Sequence, residues 1–299
     1  MIPKEIKDEL MKVAKSKGID VRLKIVGEND QIPFALAEKI KNNKFQICVK
    51  ENKNLAPEYW RKFLFHELGH CVFFKNYKEI DDIEWKRKNL LGFCRKNTKY
   101  FKNSFLVCYE AIELFLEIIQ EIFAERFYVK YSKEYSVITE SDEKKFVEKL
   151  SKLSKKEKVH YFEDMILKRY KKWTIVTFIK DMATWARFII MCSDFPKVYG
   201  CKETLSLFPK KFIRNMVKLG KIMKKEKNLI DGLEKSKKYL KNIMKITFDV
   251  IRKRKNLNDD EIIREFYARA YSPKKKQIMK KDKFIEMFIL KTEFEISLS

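Results

Sequence analysis

Apolar residues recur at helical spacing along most of this chain, and in two short stretches they alternate instead. Residues 4–17 read as an amphipathic helix. Val21-Arg22-Leu23-Lys24-Ile25-Val26 alternates as a strand does, and Gly27-Glu28-Asn29-Asp30 turns it. Residues 34–42 read as a second short helix, and Phe45 to Lys50 as a second strand. Glu51 to Ala56 is a loop. Pro57 then opens a helix, where its missing N–H costs nothing. That helix runs through Trp60, Phe63, Leu64, His66, Glu67, His70 and Phe74. The charged stretch from Asp81 to Lys99 is expected to be a connector with a short helix, and residues 104–131 carry the strongest long helical pattern. A polar boundary falls near 132–142. Beyond it, helices are expected at about 143–170, 173–192, 209–227, 231–255, 258–270 and 282–291, with a break from Ser193 to Pro209. The expected class is α+β and mostly helical.

Composition agrees with this reading. The 299 residues are 45% hydrophobic, with 24 Phe and 13 Tyr to fill a core, while 7 Gly and 6 Pro are few breakers for this length. Charge is what divides the chain. Residues 1–140 hold 26 Lys and Arg against 21 Asp and Glu, or +5, whereas residues 141–299 hold 41 against 21, or +20. A basic half of that strength attracts polyanions, although lysine on a solvated face is the plainer account. The N-terminus opens on a charged helix with no apolar leader, and the most apolar long stretch, Trp173 to Cys192, is broken by Lys180, Asp181 and Arg187. The six cysteines form no CxxC pair. They are expected to be reduced core thiols, in a cytoplasmic protein with no membrane span.

The candidate chemistry sits in His66-Glu67-Leu68-Gly69-His70. Residues four apart on a helix share a face, so both imidazoles can reach one Zn²⁺. Glu67 between them is placed to take the proton of a water that the metal has acidified. The chain has 3 His in all, and 2 fall in this frame around an acid. Composition alone would give that in roughly a few chains per thousand. The alternative is a pair of ordinary histidines on an amphipathic helix.

A catalytic zinc needs a third protein ligand and an open position. His160 is the one histidine left and no HxxGxxH extension follows His70, so the third ligand is expected to be a carboxylate. Glu110, Glu113, Glu117, Glu121 and Glu125 form a helical stripe of about 120°. Most of them must simply be solvated. Glu121 is favoured because Glu125, one turn on, can hold the far nitrogen of a ligand histidine, and because Ala124 is small enough to let two helices approach. Glu117 is the second candidate. Glu265-Phe266-Tyr267-Ala268 repeats the ExxA pattern but is followed by Arg269, so ExxA alone carries little.

The strand Ile47 to Lys50, then Arg61-Lys62-Phe63-Leu64-Phe65 leading into His66-Glu67-Leu68-Gly69-His70, resembles the ImmA/IrrE-like zinc metallopeptidases, which are gluzincins. Their third ligand lies in E-x-x-A-N/D-x-F. Glu121-Ile122-Phe123-Ala124-Glu125-Arg126-Phe127 is similar, with Glu125 in place of Asn or Asp. The resemblance covers about residues 15–135. It implies a zincin-like core with a small β-sheet and an HExxH helix, expected over residues 1–140, while the charge split and helical periodicity, not the resemblance, give an all-α basic accessory region over 141–299. It also implies His66, His70 and Glu121 as ligands of one zinc, Glu67 as general base, and a protein substrate, in some members a DNA-binding one.

Aromatics are interleaved with the basic clusters of residues 141–299: Tyr161, Phe162, Tyr170, Trp173, Trp185, Tyr239, Phe266 and Tyr267. Such a mix can bind phosphates and stack bases, but aromatics at helical spacing are more often core. No helix-turn-helix, zinc-finger or RNP pattern is legible. Three readings follow. The first is a zinc endopeptidase with a helical accessory region. The second is a nucleic-acid-binding protein with a structural or inactive zincin core. The third is a protease acting on proteins bound to nucleic acid.

Overall fold

The computed structural model describes residues 2–27, 34–41, 43–52, 55–102, 104–131, 152–196 and 205–271. The chain opens with helix α1 (Lys4–Ser16), whose Ile6, Leu10 and Ala14 are buried at the expected spacing. Gly18, at φ +63°, takes the left-handed conformation that ends this helix and starts strand β1 (Asp20–Val26). Strands β2 (Ala35–Lys41) and β3 (Lys44–Lys50) complete a sheet of order β1-β3-β2. β1 runs parallel to β3 and β2 antiparallel to it. Phe45, Ile47 and Val49 of β3 form the buried floor.

Strand β2 corrects the expected helix over 34–42. Ala-Leu-Ala-Glu-Lys-Ile-Lys is rich in good helix formers, so local propensity points the wrong way. Hydrogen bonding to β3, from Ala35 opposite Val49 to Lys39 opposite Phe45, overrides it.

Helix α2 (Pro57–Asn76) begins at Pro57 as expected and carries the HExxH frame. A 3₁₀ turn (Lys78–Asp81) leads to α3 (Ile83–Asn97), longer than the short connector helix the charges suggested. Leu90, Phe93, Cys94 and Asn97 are buried at i, i+3, i+4 and i+7, which is enough to hold a charged helix on the core. Helix α4 (Phe105–Tyr131) follows, with the Ser104 hydroxyl accepting the Val107 N–H at 3.0 Å.

Helices α5 (Lys155–Tyr170), α6 (Ile175–Asp194), α7 (Lys210–Lys225), α8 (Leu229–Lys255) and α9 (Asp259–Tyr271) make up the described part of the basic region. Helix α5 is opened by a capping box between Ser154 and Glu157. The expected boundary at 132–142, the start of that helix before 152 and the helix at 282–291 lie outside the described residues. Phe162, Tyr170, Trp173, Trp185, Phe266 and Tyr267 are buried core residues, whereas Tyr161 and Tyr239 are partly buried against that core. One apolar cluster runs from Phe73 of α2 through α3 and α4 to Tyr267 of α9. A second joins α1, the sheet, the outer face of α2 and the end of α4.

The apolar stretch Trp173 to Cys192 becomes α6, which is buried against α4. Among the described residues no helix is long and apolar enough to cross a membrane. Cys48, Cys71, Cys94, Cys108 and Cys192 are buried free thiols, and Cys201 lies outside the described residues.

Candidate metal centre

The centre lies where α2 meets α4, and Gly69 sets how closely they meet. A Cβ on Gly69 would stand 2.6 Å from the Ala124 Cα and 2.9 Å from the Ala124 carbonyl oxygen. Helix axes approach this closely only when one side offers no side chain. His66 and His70 flank Gly69 on one helix, and Glu121 and Glu125 flank Ala124 on the other, so this contact brings all four together.

The Nε2 atoms of His66 and His70 are 3.2 Å apart. Glu121 Oε2 is 3.6 Å from His66 Nε2, and Glu121 Oε1 is 3.6 Å from His70 Nε2. A tetrahedral zinc with nitrogen and oxygen ligands at about 2.0–2.1 Å separates neighbouring ligand atoms by about 3.3 Å. The two imidazole nitrogens and the carboxylate, which turns one oxygen to each, stand at separations close to those one such ion spans, and the donor set suits zinc. The other imidazole nitrogen, His66 Nδ1, lies 2.9 Å from Glu125 Oε2. An Nδ1–H donated there leaves the Nε2 lone pair facing the centre.

Glu67 joins from the sheet side. The donor atoms of His66, Glu67 and His70 all lie within 4.8 Å of one another. The Ala37 N–H of β2 donates to Glu67 Oε2 at 2.7 Å. That amide points away from β3, because β2 is the edge strand and its residues alternate between pairing with β3 and facing outward.

One contributor comes from the basic region. Arg187, on α6, places Nη1 2.6 Å from Glu121 Oε2 and 4.0 Å from Glu125 Oε2. In the sequence Arg187 is only an interruption of an apolar run. The available signal was that a charge in a helix this apolar must find a partner.

These charges shape the titration of the metal-free protein. Burial works against a charge on His66, but the carboxylates of Glu121 and Glu125 outweigh it and lift the imidazole to about 9. Burial and then the His66 charge push His70 down to about 4. Burial alone would raise Glu121, yet His66 and Arg187 hold its carboxyl well below the usual range. Glu67 is raised by burial, an effect tempered by His66 and by the Ala37 N–H.

The other sequence candidates lie elsewhere. Among the described residues Glu117 makes no ion pair with either imidazole, and burial raises its carboxyl. Glu110 is buried and accepts the Tyr267 hydroxyl at 2.5 Å, as a structural contact between α4 and α9. His160 is exposed on α5, 3.6 Å from Asp164. No protein-family model, no curated protein and no solved structure matches this chain.

Proposed function

We propose that the chain is a zinc metallopeptidase of the Glu-liganded kind, with His66, His70 and Glu121 holding one zinc and Glu67 serving as general base. The observation that carries this reading is the pair of imidazole Nε2 atoms 3.2 Å apart, each 3.6 Å from one of the two Glu121 carboxylate oxygens, set beside a separately tethered Glu67. A zinc held there supplies Lewis-acid chemistry, polarising a carbonyl and making water a nucleophile at neutral pH.

The chain's own residues do the rest. Glu67 has one oxygen fixed by the Ala37 N–H, so its other oxygen is available to accept a proton and pass it on to a leaving amine. Burial raises its affinity for that proton. Glu125 orients His66 through Nδ1, and Arg187 orients Glu121. The edge strand β2 favours a peptide over other substrates. Its outward backbone groups run past Glu67, and a polypeptide in extended form is what pairs with such an edge. The resemblance of the motif helix to peptidases that cut DNA-binding proteins points to an intracellular protein as the substrate.

Metal analysis of the purified protein is expected to give one zinc per chain. Glu67→Gln is expected to keep that zinc and to lose about 10²–10⁴-fold of proteolysis on an unfolded protein substrate. A protein that takes up no zinc, or a Glu67→Gln variant that cleaves as fast as the parent, ends this reading.

A further inference from the structure

The strongest surface feature unrelated to the metal centre is the outer face of α7. Its sequence, Lys-Lys-Phe-Ile-Arg-Asn-Met-Val-Lys-Leu-Gly-Lys-Ile-Met-Lys-Lys, holds 7 cations and no acid in 16 residues. All seven, Lys210, Lys211, Arg214, Lys218, Lys221, Lys224 and Lys225, are exposed. None forms an ion pair among the described residues. Elsewhere in the basic region the exposed cations are partly neutralised: Lys235 by Glu226, Lys253 by Glu163, and Arg169 by Asp181. At 100° per residue, Lys210, Arg214, Lys218, Lys221 and Lys225 fall within an arc of about 80°. They form a straight row about 22 Å long, at a rise of about 1.5 Å per residue.

From this row we infer that α7 is a docking surface for the phosphate backbone of double-stranded nucleic acid, bound without reading of bases. Three observations select that partner. The row is straight and rigid, because Phe212, Met216, Leu219 and Met223 lock the opposite face into the core. Gly220 also lets α7 lie directly against Ile190 of α6, where a Cβ would meet its side chain at 2.6 Å. With its apolar face committed to the core, α7 has nothing to insert into a lipid interface. The one aromatic on the helix, Phe212, is fully buried, so there is no platform on which the bases of a single strand could stack. What remains is a line of point charges facing outward, which suits a regular polyanion. The inference is independent of the metal centre and stands or falls without it.

Its signature is the salt dependence of binding. Five phosphates neutralised in B-form DNA give a slope of about −4.5 in log K against log salt, or about a 500-fold loss between 50 and 200 mM. The test measures binding of the full chain to a 20-base-pair duplex of arbitrary sequence, with and without a metal chelator, by fluorescence anisotropy. The double variant Lys218→Gln/Lys221→Gln, exposed at both positions, is expected to flatten the slope to about −2.7, or about 40-fold over the same range. The control Lys156→Gln/Lys168→Gln on α5 removes the same net charge and is expected to leave the slope unchanged. An equal effect from both pairs would reduce the binding to bulk charge and overturn the assignment to α7. So would absence of duplex binding at 50 mM salt, or tighter binding to phosphatidylserine vesicles than to the duplex. Binding that survives the chelator while proteolysis is lost separates this inference from the proposed activity.

Discussion

Gly69→Ala sets two physical arguments against each other. Alanine is the better helix former by about 1 kcal/mol, so α2 on its own would gain. Against that, the new methyl would sit 2.6 Å from the Ala124 Cα and 2.9 Å from the Ala124 carbonyl. Carbon atoms in contact settle at about 3.5–4.0 Å, so α2 and α4 must separate by about 1 Å. Neither obstacle is a flexible side chain that could swing aside. Overpacking of this kind costs about 1–3 kcal/mol, which exceeds the propensity gain. The centre suffers as well, because Glu121 is carried by α4 and the histidines by α2. A separation of that size stretches the 3.6 Å distances from Glu121 to the two imidazoles towards about 4.6 Å, well beyond the about 3.3 Å that one tetrahedral zinc spans. The expected result is a lower urea midpoint for the metal-free variant at unchanged slope, together with zinc affinity weakened at least tenfold in competition with a chelating dye. A variant as stable as the parent, or more so, would refute the close approach of α2 and α4. Normal zinc affinity would refute the dependence of the centre on it.

Other expectations follow from the same geometry. Glu125→Gln removes the carboxylate that His66 Nδ1 faces at 2.9 Å and should weaken zinc binding about 10–100-fold with the fold intact; an unchanged affinity would mean that Glu125 does not orient the ligand. Arg187→Ala leaves Glu121 and Glu125 with protonated His66 but without their guanidinium partner, so it should destabilise the metal-free protein by about 1–3 kcal/mol and the zinc-loaded protein by less, because a bound cation replaces the missing charge. Equal melting-temperature losses in the two states would contradict this. His66, lifted to about 9, is protonated at pH 7, so zinc must displace that proton. Apparent zinc affinity should therefore climb about tenfold per pH unit from pH 7 towards 9, whereas a plateau above pH 7 would show an unshifted imidazole. In the metal-free protein the stability that His66 gains from its carboxylates should be complete below about pH 6.5 and lost as pH rises through about 9.

Much of the fold was legible because local signals and tertiary demands agreed. The alternation of Val21 to Val26, Pro57 at a helix start and the periodicity of α4 each named an element that the structure contains. The centre was legible for a similar reason. Two histidines four apart on a helix face the same way whatever the rest of the chain does, and the scarcity of histidine leaves the acidic stripe on α4 as the source of a further ligand candidate.

The remainder depended on contacts between residues distant in the chain. Ala35 to Lys41 is a strand because β3 offers hydrogen bonds, against the preference of its own residues. Glu121 rather than Glu117 stands beside the imidazoles because the Gly69–Ala124 contact fixes how α4 lies along α2, a one-turn choice that periodicity leaves open. Arg187 reaches Glu121 across 66 positions of sequence, and no spacing rule connects them. Two histidines on one helix face with an acid between them, and an acidic stripe on a later helix, are properties that the order of residues alone sets. The tertiary structure decided which carboxylate meets the two histidines, what holds it there and which backbone amide anchors Glu67. The difference is one of range: side-chain chemistry and helical period act within a few residues, whereas the separation of Glu121 from the two imidazoles is set by how two helices pack.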